Sequence, residues 1–265
     1  MNNPFRLAAS SYLNSAPLIW SFRYGSHRGD VDFIEAVPAR CAQLLAESAV
    51  EGALIPVIEY QRIAGGLLVP NVCVGSRREV LSVVLVSKNK RLEEIRTVAL
   101  DESSRTSATL VKIIFREFLQ HEPEWTTTAP HLDQMLEKND AALIIGDPGM
   151  TFRRQGLNVW DMASLWREHT GLGFVFAMWM VREDSAEHAR RKDFAGARDE
   201  GVAHLEKIVR SYQDKIPMSV AELRNYLTEK IVFDVDESME KGLRLYFEMA
   251  EKHQLIDRLK PLRFI

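Results

Sequence analysis

Two long apolar runs limit what this chain can become. REVLSVVLVSK, Arg78–Lys88, and FVFAMWMVR, Phe174–Arg182, are each long for a strand and mostly apolar. Between them lies a self-contained alternation of strand and helix patterns. TVALD (Thr97–Asp101) reads as a strand. TSATLVKIIFREFL (Thr106–Leu119) has apolar residues at 3–4 spacing and reads as a helix. AALII (Ala141–Ile145) is again a strand. Two long strands that bracket such a segment predict a chain that crosses to a second lobe and returns. The first lobe is then residues 1–86 plus 181–265, the second is the inserted 87–180, and the double crossover acts as a two-strand hinge.

The part before the first long run has the same rhythm. FRLAAS is a strand, Pro17–Tyr24 a short helix and VDFIEA a strand. Pro38 opens a helix, PARCAQLLAES, and GALIP (Gly52–Pro56) is a buried strand. Beyond Arg182 the patterns are helical, over Ser185–Tyr212, Ser219–Lys230 and Asp236–Lys252. Strands alternating with helices predict an α/β protein with mostly parallel pairing. At 265 residues the chain suits two lobes or one large α/β domain better than a single small core.

Several function classes lose support. A net charge of −3 provides no basic field for nucleic acid, while leaving room for a small anion held by local donors. The longest apolar candidate, Gly171–Val181, falls well short of the roughly 18–20 residues of a membrane span. MNNPFRLAAS has no basic segment followed by a long apolar one, so the reading is a cytoplasmic protein without an export signal. Cys41 and Cys73 have no metal-ligand spacing and read as reduced structural thiols. The seven histidines form no HxxxH pattern, and GxSxG, P-loop and GxGxxG motifs are all missing.

Ligands of such folds sit at the C-terminal ends of strands, in the crevice between lobes. Four polar stretches follow apolar runs there: SSYLNS, PVIEY, ESSRTS and GDPGM. In DESSRTSATL, Ser103, Ser104, Arg105, Thr106 and Ser107 precede a helix. Free N–H groups at a helix start bind carboxylate or phosphate, although Ser104 or Thr106 could serve as a plain cap and Arg105 could pair with a surface acid. Gly146 permits close backbone approach or an unusual dihedral. Asp147 orients a ligand hydroxyl or makes a turn with Pro148. Ser82 is either a buried serine bonded to backbone or a hinge hydroxyl facing the crevice. Glu59 is the one obvious carboxylate base in the first lobe's loops, and a helix-start role suits it equally.

Taken in order and spacing, SYLNSAPL, GALIPVIEY, LSVVLVS, DESSRTSA, IIGDPGM and TGLGFVFAMW resemble the chorismate dehydratase family of the futalosine route to menaquinone. The resemblance covers about residues 6–250. It implies the two-lobed periplasmic-binding-protein-like (type II, Venus-flytrap) fold and a carbon–oxygen lyase. That enzyme converts chorismate to 3-[(1-carboxyvinyl)oxy]benzoate and water, with no cofactor and no metal. The expected partner is chorismate, a small dianion, with a transient contact with the next enzyme of the route as a further candidate; nucleic acid and membrane are not expected. Gly173 stands where the family usually has Pro, which predicts a looser loop before the return strand.

The resemblance gives each candidate a role. Ser104, Arg105, Thr106 and Ser107 hold one substrate carboxylate. Asn14 acts at the reacting edge, with Ser15 beside it. Ser82, Gly146 and Asp147 close the site from the other side. No histidine lies in these motifs and an amide is no base at neutral pH. The substrate's own enolpyruvyl carboxylate is therefore the expected proton acceptor, with Glu59 or Asp147 as the alternatives. A non-catalytic anion-binding protein of this fold, or the sister dihydroxynaphthoate synthase, are the competing readings.

Overall fold

The computed structural model describes residues 5–265. Residues 1–4, which open both the first expected lobe and the stretch read for an export signal, lie outside the described residues. Ten strands form two five-stranded sheets. The first contains β1 (Phe5–Ala9), β2 (Val31–Glu35), β3 (Gly52–Pro56), β4 (Gly66–Ser76) and β10 (Phe174–Arg182), in the order β2-β1-β3-β10-β4. The second contains β5 (Val83–Ser87), β6 (Thr97–Asp101), β7 (Glu124–Thr128), β8 (Ala141–Ile145) and β9 (Asn158–Asp161), in the order β7-β6-β8-β5-β9.

The two sheets share one plan. In each, three strands run parallel and a fourth lies antiparallel beside them, β10 against β3 and β5 against β8. Parallel strands need covering on both faces, and their sequences show it: GALIP and AALII are buried at every position, as is VVLVS of the antiparallel β5. The helices that cover them in chain order are α1 (Ala16–Tyr24), α2 (Pro38–Ala46), α3 (Glu59–Arg62), α4 (Thr106–Ile113), α5 (Leu132–Lys138), α6 (Asp147–Thr151) and α7 (Met162–Thr170). The C-terminal part adds α8 (Ala186–Ala189), α9 (Phe194–Ala203), α10 (Leu205–Tyr212), α11 (Val220–Asn225) and α12 (Glu237–Lys252). No helix among the described residues is long and apolar enough to cross a membrane. Both cysteines are buried, and burial pushes the Cys41 thiol up to about 12.

Several expectations change. The divisions expected after residues 86 and 180 fall inside β5 and β10, and each of these strands pairs along its length within one sheet. The chain actually passes between sheets over residues 77–82 and returns over residues 162–173. Arg78–Lys88 is not one long strand, because Leu81 takes φ +60° and only Val83–Ser87 is extended. The longest strand, β4, escaped the sequence reading. It is an edge strand interrupted by Pro70 and by Asn71 at φ +61°, and its pairing with β10 shifts register twice. The expected helix over Ser185–Tyr212 is three helices, interrupted by a turn before Asp193 and by His204.

Gly173 is not loose. Its N–H donates to Ser238 Oγ at 3.1 Å, and its carbonyl accepts Trp166 Nε1–H at 3.3 Å. A proline would lose the first bond and would press a Cβ to 2.7 Å from Met239.

Candidate active site

Parallel strands carry their following loops to one end of a sheet. SYLN follows β1, PVIEY follows β3, ESSRTS follows β6 and GDPGM follows β8. Register places the antiparallel strands at the same end: Ala177 in β10 lies opposite Pro56, and Val83 in β5 opposite Ile145. The cleft there encloses about 540 Å³, part of it open to solvent. Leu54, Val74, Val83, Ile145 and Phe176 supply apolar walls, and the polar groups come from the two loops SSYLNS and SSRTS.

The lobes meet over this cleft through two hydrogen bonds. Leu13 N–H donates to Asp147 Oδ1 at 3.1 Å. Ile58 N–H donates to Thr106 Oγ1 at 3.3 Å. Tyr12 and Ser103 both line the cleft, and Ser103 donates to Asp101 Oδ1 through N–H at 2.8 Å and hydroxyl at 2.6 Å. Gly146 lets the loop that carries Tyr12 and Leu13 lie this close to the second lobe. Its φ of +69° with ψ −151° is a region nearly closed to other residues, and a Cβ there would lie 2.7 Å from the Tyr12 ring.

The second lobe's bank leaves polar groups without partners. Ser103, Ser104, Thr106 and Ser107 are all buried, and they line the cleft at the start of α4. No side chain caps this helix and no acid lies in its first turn, so its leading N–H groups stay available. Ser104 Oγ is buried without a hydrogen-bond partner. A buried hydroxyl left unpaired costs roughly 1–3 kcal/mol, which a ligand oxygen would recover. Arg105 lines the cleft and has no carboxylate partner among the described residues, so the surface pairing considered for it is not found. The helix itself is anchored from behind, where the Tyr246 hydroxyl donates to the Thr106 carbonyl at 2.9 Å.

The first lobe's bank is internally satisfied. Ser10 and Ser15 hydroxyls lie 2.9 Å apart, and Ser15 Oγ donates to Asn14 Oδ1 at 3.2 Å. Deeper in the fold, the buried Tyr226 hydroxyl donates to Ser82 Oγ at 2.7 Å.

Three expected site residues are placed differently. Ser82 is fully buried and does not line the cleft; its hydroxyl accepts from the Tyr226 hydroxyl at 2.7 Å. Glu59 is paired with Arg62 at 2.7 Å and lines a neighbouring hollow with Arg40 and Gln43, not the cleft. Asp147 stands behind the cleft wall, holding the start of the Leu13–Ser15 turn, and burial pushes its carboxyl up to about 6. Tyr12, Ser10, Phe176 and Tyr226 were missed. For the first three the signal was proximity to motifs already singled out. Tyr226 had none. No group of three or more His, Cys, Asp or Glu is arranged to hold a metal among the described residues.

The profile of a family described as "Menaquinone biosynthesis" matches residues 5–252. The chain belongs to this menaquinone-biosynthesis family. Relatives agree. A chorismate dehydratase of Thermus thermophilus is 28% identical over 264 residues, spanning 92% of this chain and 94% of the relative. A chorismate dehydratase of Campylobacter jejuni is 25% identical over 246 residues, spanning 91% and 95%. Among solved structures, a protein of Archaeoglobus fulgidus superposes with a TM-score of 0.73 at 18% identity, covering 95% of this chain and 98% of that one. A Candida albicans protein described as having the generic periplasmic binding protein fold superposes at 0.62 and 11% identity, covering 97% and 92%. The family member described above therefore has the two-lobed periplasmic-binding-protein-like fold, with its cleft between the lobes.

Proposed function

We propose that this protein is a chorismate dehydratase, a hydro-lyase that forms 3-[(1-carboxyvinyl)oxy]benzoate. The observation that carries the reading is the bank at α4, where a buried, unpartnered Ser104 hydroxyl and an unpaired Arg105 face Asn14 and Ser15 across one apolar-walled cleft. The relatives named chorismate dehydratase supply the substrate's identity.

The chemistry suits the parts. One carboxylate of chorismate sits on Ser104, Arg105, Thr106 and Ser107, a pre-organised charge-assisted site. Apolar walls hold the ring. The C3–H bond breaks, its electron pair forms the third ring double bond, and the C4–O bond breaks. Proton and hydroxyl leave together as one water. Aromatisation drives the step. The groups facing the cleft include no histidine, lysine or carboxylate side chain that could accept the proton. The enolpyruvyl carboxylate of the substrate takes it and hands it to the departing C4 hydroxyl, which leaves as the one water, while Asn14 orients the reacting groups. Lobe contacts over the cleft keep water out during the step.

The decisive test is incubation of the purified protein with chorismate, without metal or nucleotide, followed by ultraviolet absorbance and product mass. Loss of one water with a new benzoate chromophore is the expected result. Unchanged chorismate with a folded protein refutes the reading; tight binding without turnover leaves a binding protein of this fold. Asp147→Asn addresses the alternative base. A loss of several decades in kcat with binding intact would replace the substrate-assisted route by one through Asp147.

A further inference from the structure

We propose that Ser103 accepts a hydrogen bond from a free hydroxyl of the ligand, and that Asp101 is the positioning residue that fixes it in this role. The cleft is then specific for an anion that also carries a hydroxyl. The inference rests on the reading of the cleft as the chorismate site and adds how substrate is told from product.

Asp101 is the last residue of β6 and is 1% exposed. A carboxylate buried so deeply requires donors. Its Oδ1 takes two, both from Ser103: the N–H at 2.8 Å and the hydroxyl at 2.6 Å. Its Oδ2 has none. The Asp101 carbonyl also accepts Ser104 N–H at 2.9 Å, which closes a tight turn and fastens Ser103 within it. The N–H bond to Oδ1 alone would suffice for such a turn. The hydroxyl bond is additional, and its length is that of a charge-assisted O–H···O⁻ bond.

The direction of that bond decides what Ser103 offers the cleft. An ionised carboxylate accepts and never donates, and a serine hydroxyl has one proton and two lone pairs. The Ser103 proton is therefore committed to Asp101, and only lone pairs remain. Ser103 lines the cleft, and among the described residues no protein group donates to those lone pairs. Ser104, the next residue, lines the same cleft with a buried hydroxyl whose proton is uncommitted.

The two neighbours thus have opposite polarity. Ser104 donates to an anionic oxygen. Ser103 repels one and accepts from an O–H. Chorismate has a single free hydroxyl, the C4 group that leaves, and the benzoate product has none. A site that pairs a substrate hydroxyl discriminates strongly against a ligand lacking it, because its own polar group is then left unpaired. Ser103 therefore favours substrate over product and lets the product go.

The test compares wild type with Ser103→Ala, Asp101→Ala and Asp101→Asn. It reads kcat/KM for chorismate against the inhibition constant of the product, 3-[(1-carboxyvinyl)oxy]benzoate. In Ser103→Ala, kcat/KM should fall about 10- to 100-fold while the product constant changes less than about threefold. Asp101→Ala frees the Ser103 proton and should lose the same discrimination. Asp101→Asn keeps an Oδ1 acceptor for both bonds and should restore most of it. A merely structural role would weaken substrate and product together, and that result overturns the proposal. So does an unmoved ratio in Ser103→Ala, the outcome expected if the Tyr12 phenol at the cleft, and not the ligand, fills the lone pair. Should Asp101→Ala not fold, Ser103→Ala carries the comparison. A second readout needs neither turnover nor ligand. The Ser103 hydroxyl proton should appear downfield in the ¹H NMR spectrum of the wild type, exchange slowly with water and vanish in Ser103→Ala. If the wild type leaves chorismate intact, the function assigned above falls, and the ratio is read from the dissociation constants of the same two compounds. A Ser103 hydroxyl proton that exchanges freely overturns the proposal in either case.

Discussion

On the first lobe's side of the cleft, Ser10, Ser15 and Asn14 are joined by hydrogen bonds, and the Ser82 hydroxyl behind them is bonded to Tyr226. On the second lobe's side, Ser104 Oγ has no partner, α4 has no cap and Arg105 has no carboxylate. Both sides are polar loops after parallel strands, rich in serine. The difference lies in what remains unsatisfied. A satisfied network spends its donors on itself and gains orientation; an unsatisfied one keeps its donors for a ligand at some cost to the empty protein. Under the proposed function the first side aims the substrate and the second holds it.

That contrast can be broken most directly at Asn14. Asn14→Ala should lower kcat by about 100-fold or more, the scale of losing one oriented polar group at a reacting centre. Chorismate binding, followed by calorimetry, should persist. Loss of binding with normal turnover of bound substrate would invert the two roles. Next in size, Arg105→Ala should raise the dissociation constant for chorismate by about 10- to 100-fold, as expected for removal of a charge-assisted bond, with a smaller effect on kcat.

Ser104→Ala sharpens the comparison from the stability side. It should weaken binding by about tenfold while leaving the melting temperature of the empty protein unchanged or raised, since a buried orphan hydroxyl is removed. Ser15→Ala, on the satisfied side, should destabilise the protein by about 1 kcal/mol because its partners lose a bond. Equal melting behaviour of the two variants would erase the distinction.

Asp147 joins the two sides, and its effect should be smaller and pH-dependent. Folded protein holds the Asp147 proton more tightly than unfolded protein does, about 6 against the ordinary 3.8. Unfolding therefore releases protons in this window, and stability falls as pH rises through it. Wild type should lose about 1–2 kcal/mol relative to Asp147→Asn between pH 4 and pH 7 in denaturant melts, part of the about 1.4 kcal/mol carried by each tenfold in proton affinity. Smallest of all, Glu59→Gln should change turnover by less than about twofold, because Glu59 faces Arg62 and a neighbouring hollow.

The apolar runs GALIP, VVLVS and AALII announced buried strands, and the polar loops after GALIP and AALII announced the cleft end. Burial on both faces and a polar loop after a parallel strand are local properties, written in consecutive residues. The serines and Arg105 before α4 were visible for the same reason: a helix start is a local event. β4 was not visible, because an edge strand with a proline and a left-handed asparagine has no clean period. The lobe boundaries were misplaced by a few residues because the strained turn at Leu81 looks apolar in sequence and extended in expectation.

Sequence alone therefore determined the strand–helix rhythm, the return strand and the serine-rich loop at the start of α4. Tertiary structure decided which polar residues serve each other. Leu13 and Asp147 meet across 134 residues, and Ser82 and Tyr226 across 144. No propensity or period carries information over such distances. A serine paired with a buried tyrosine and a serine left open for a ligand are the same letter, and only the packed fold determines whether a partner lies within reach.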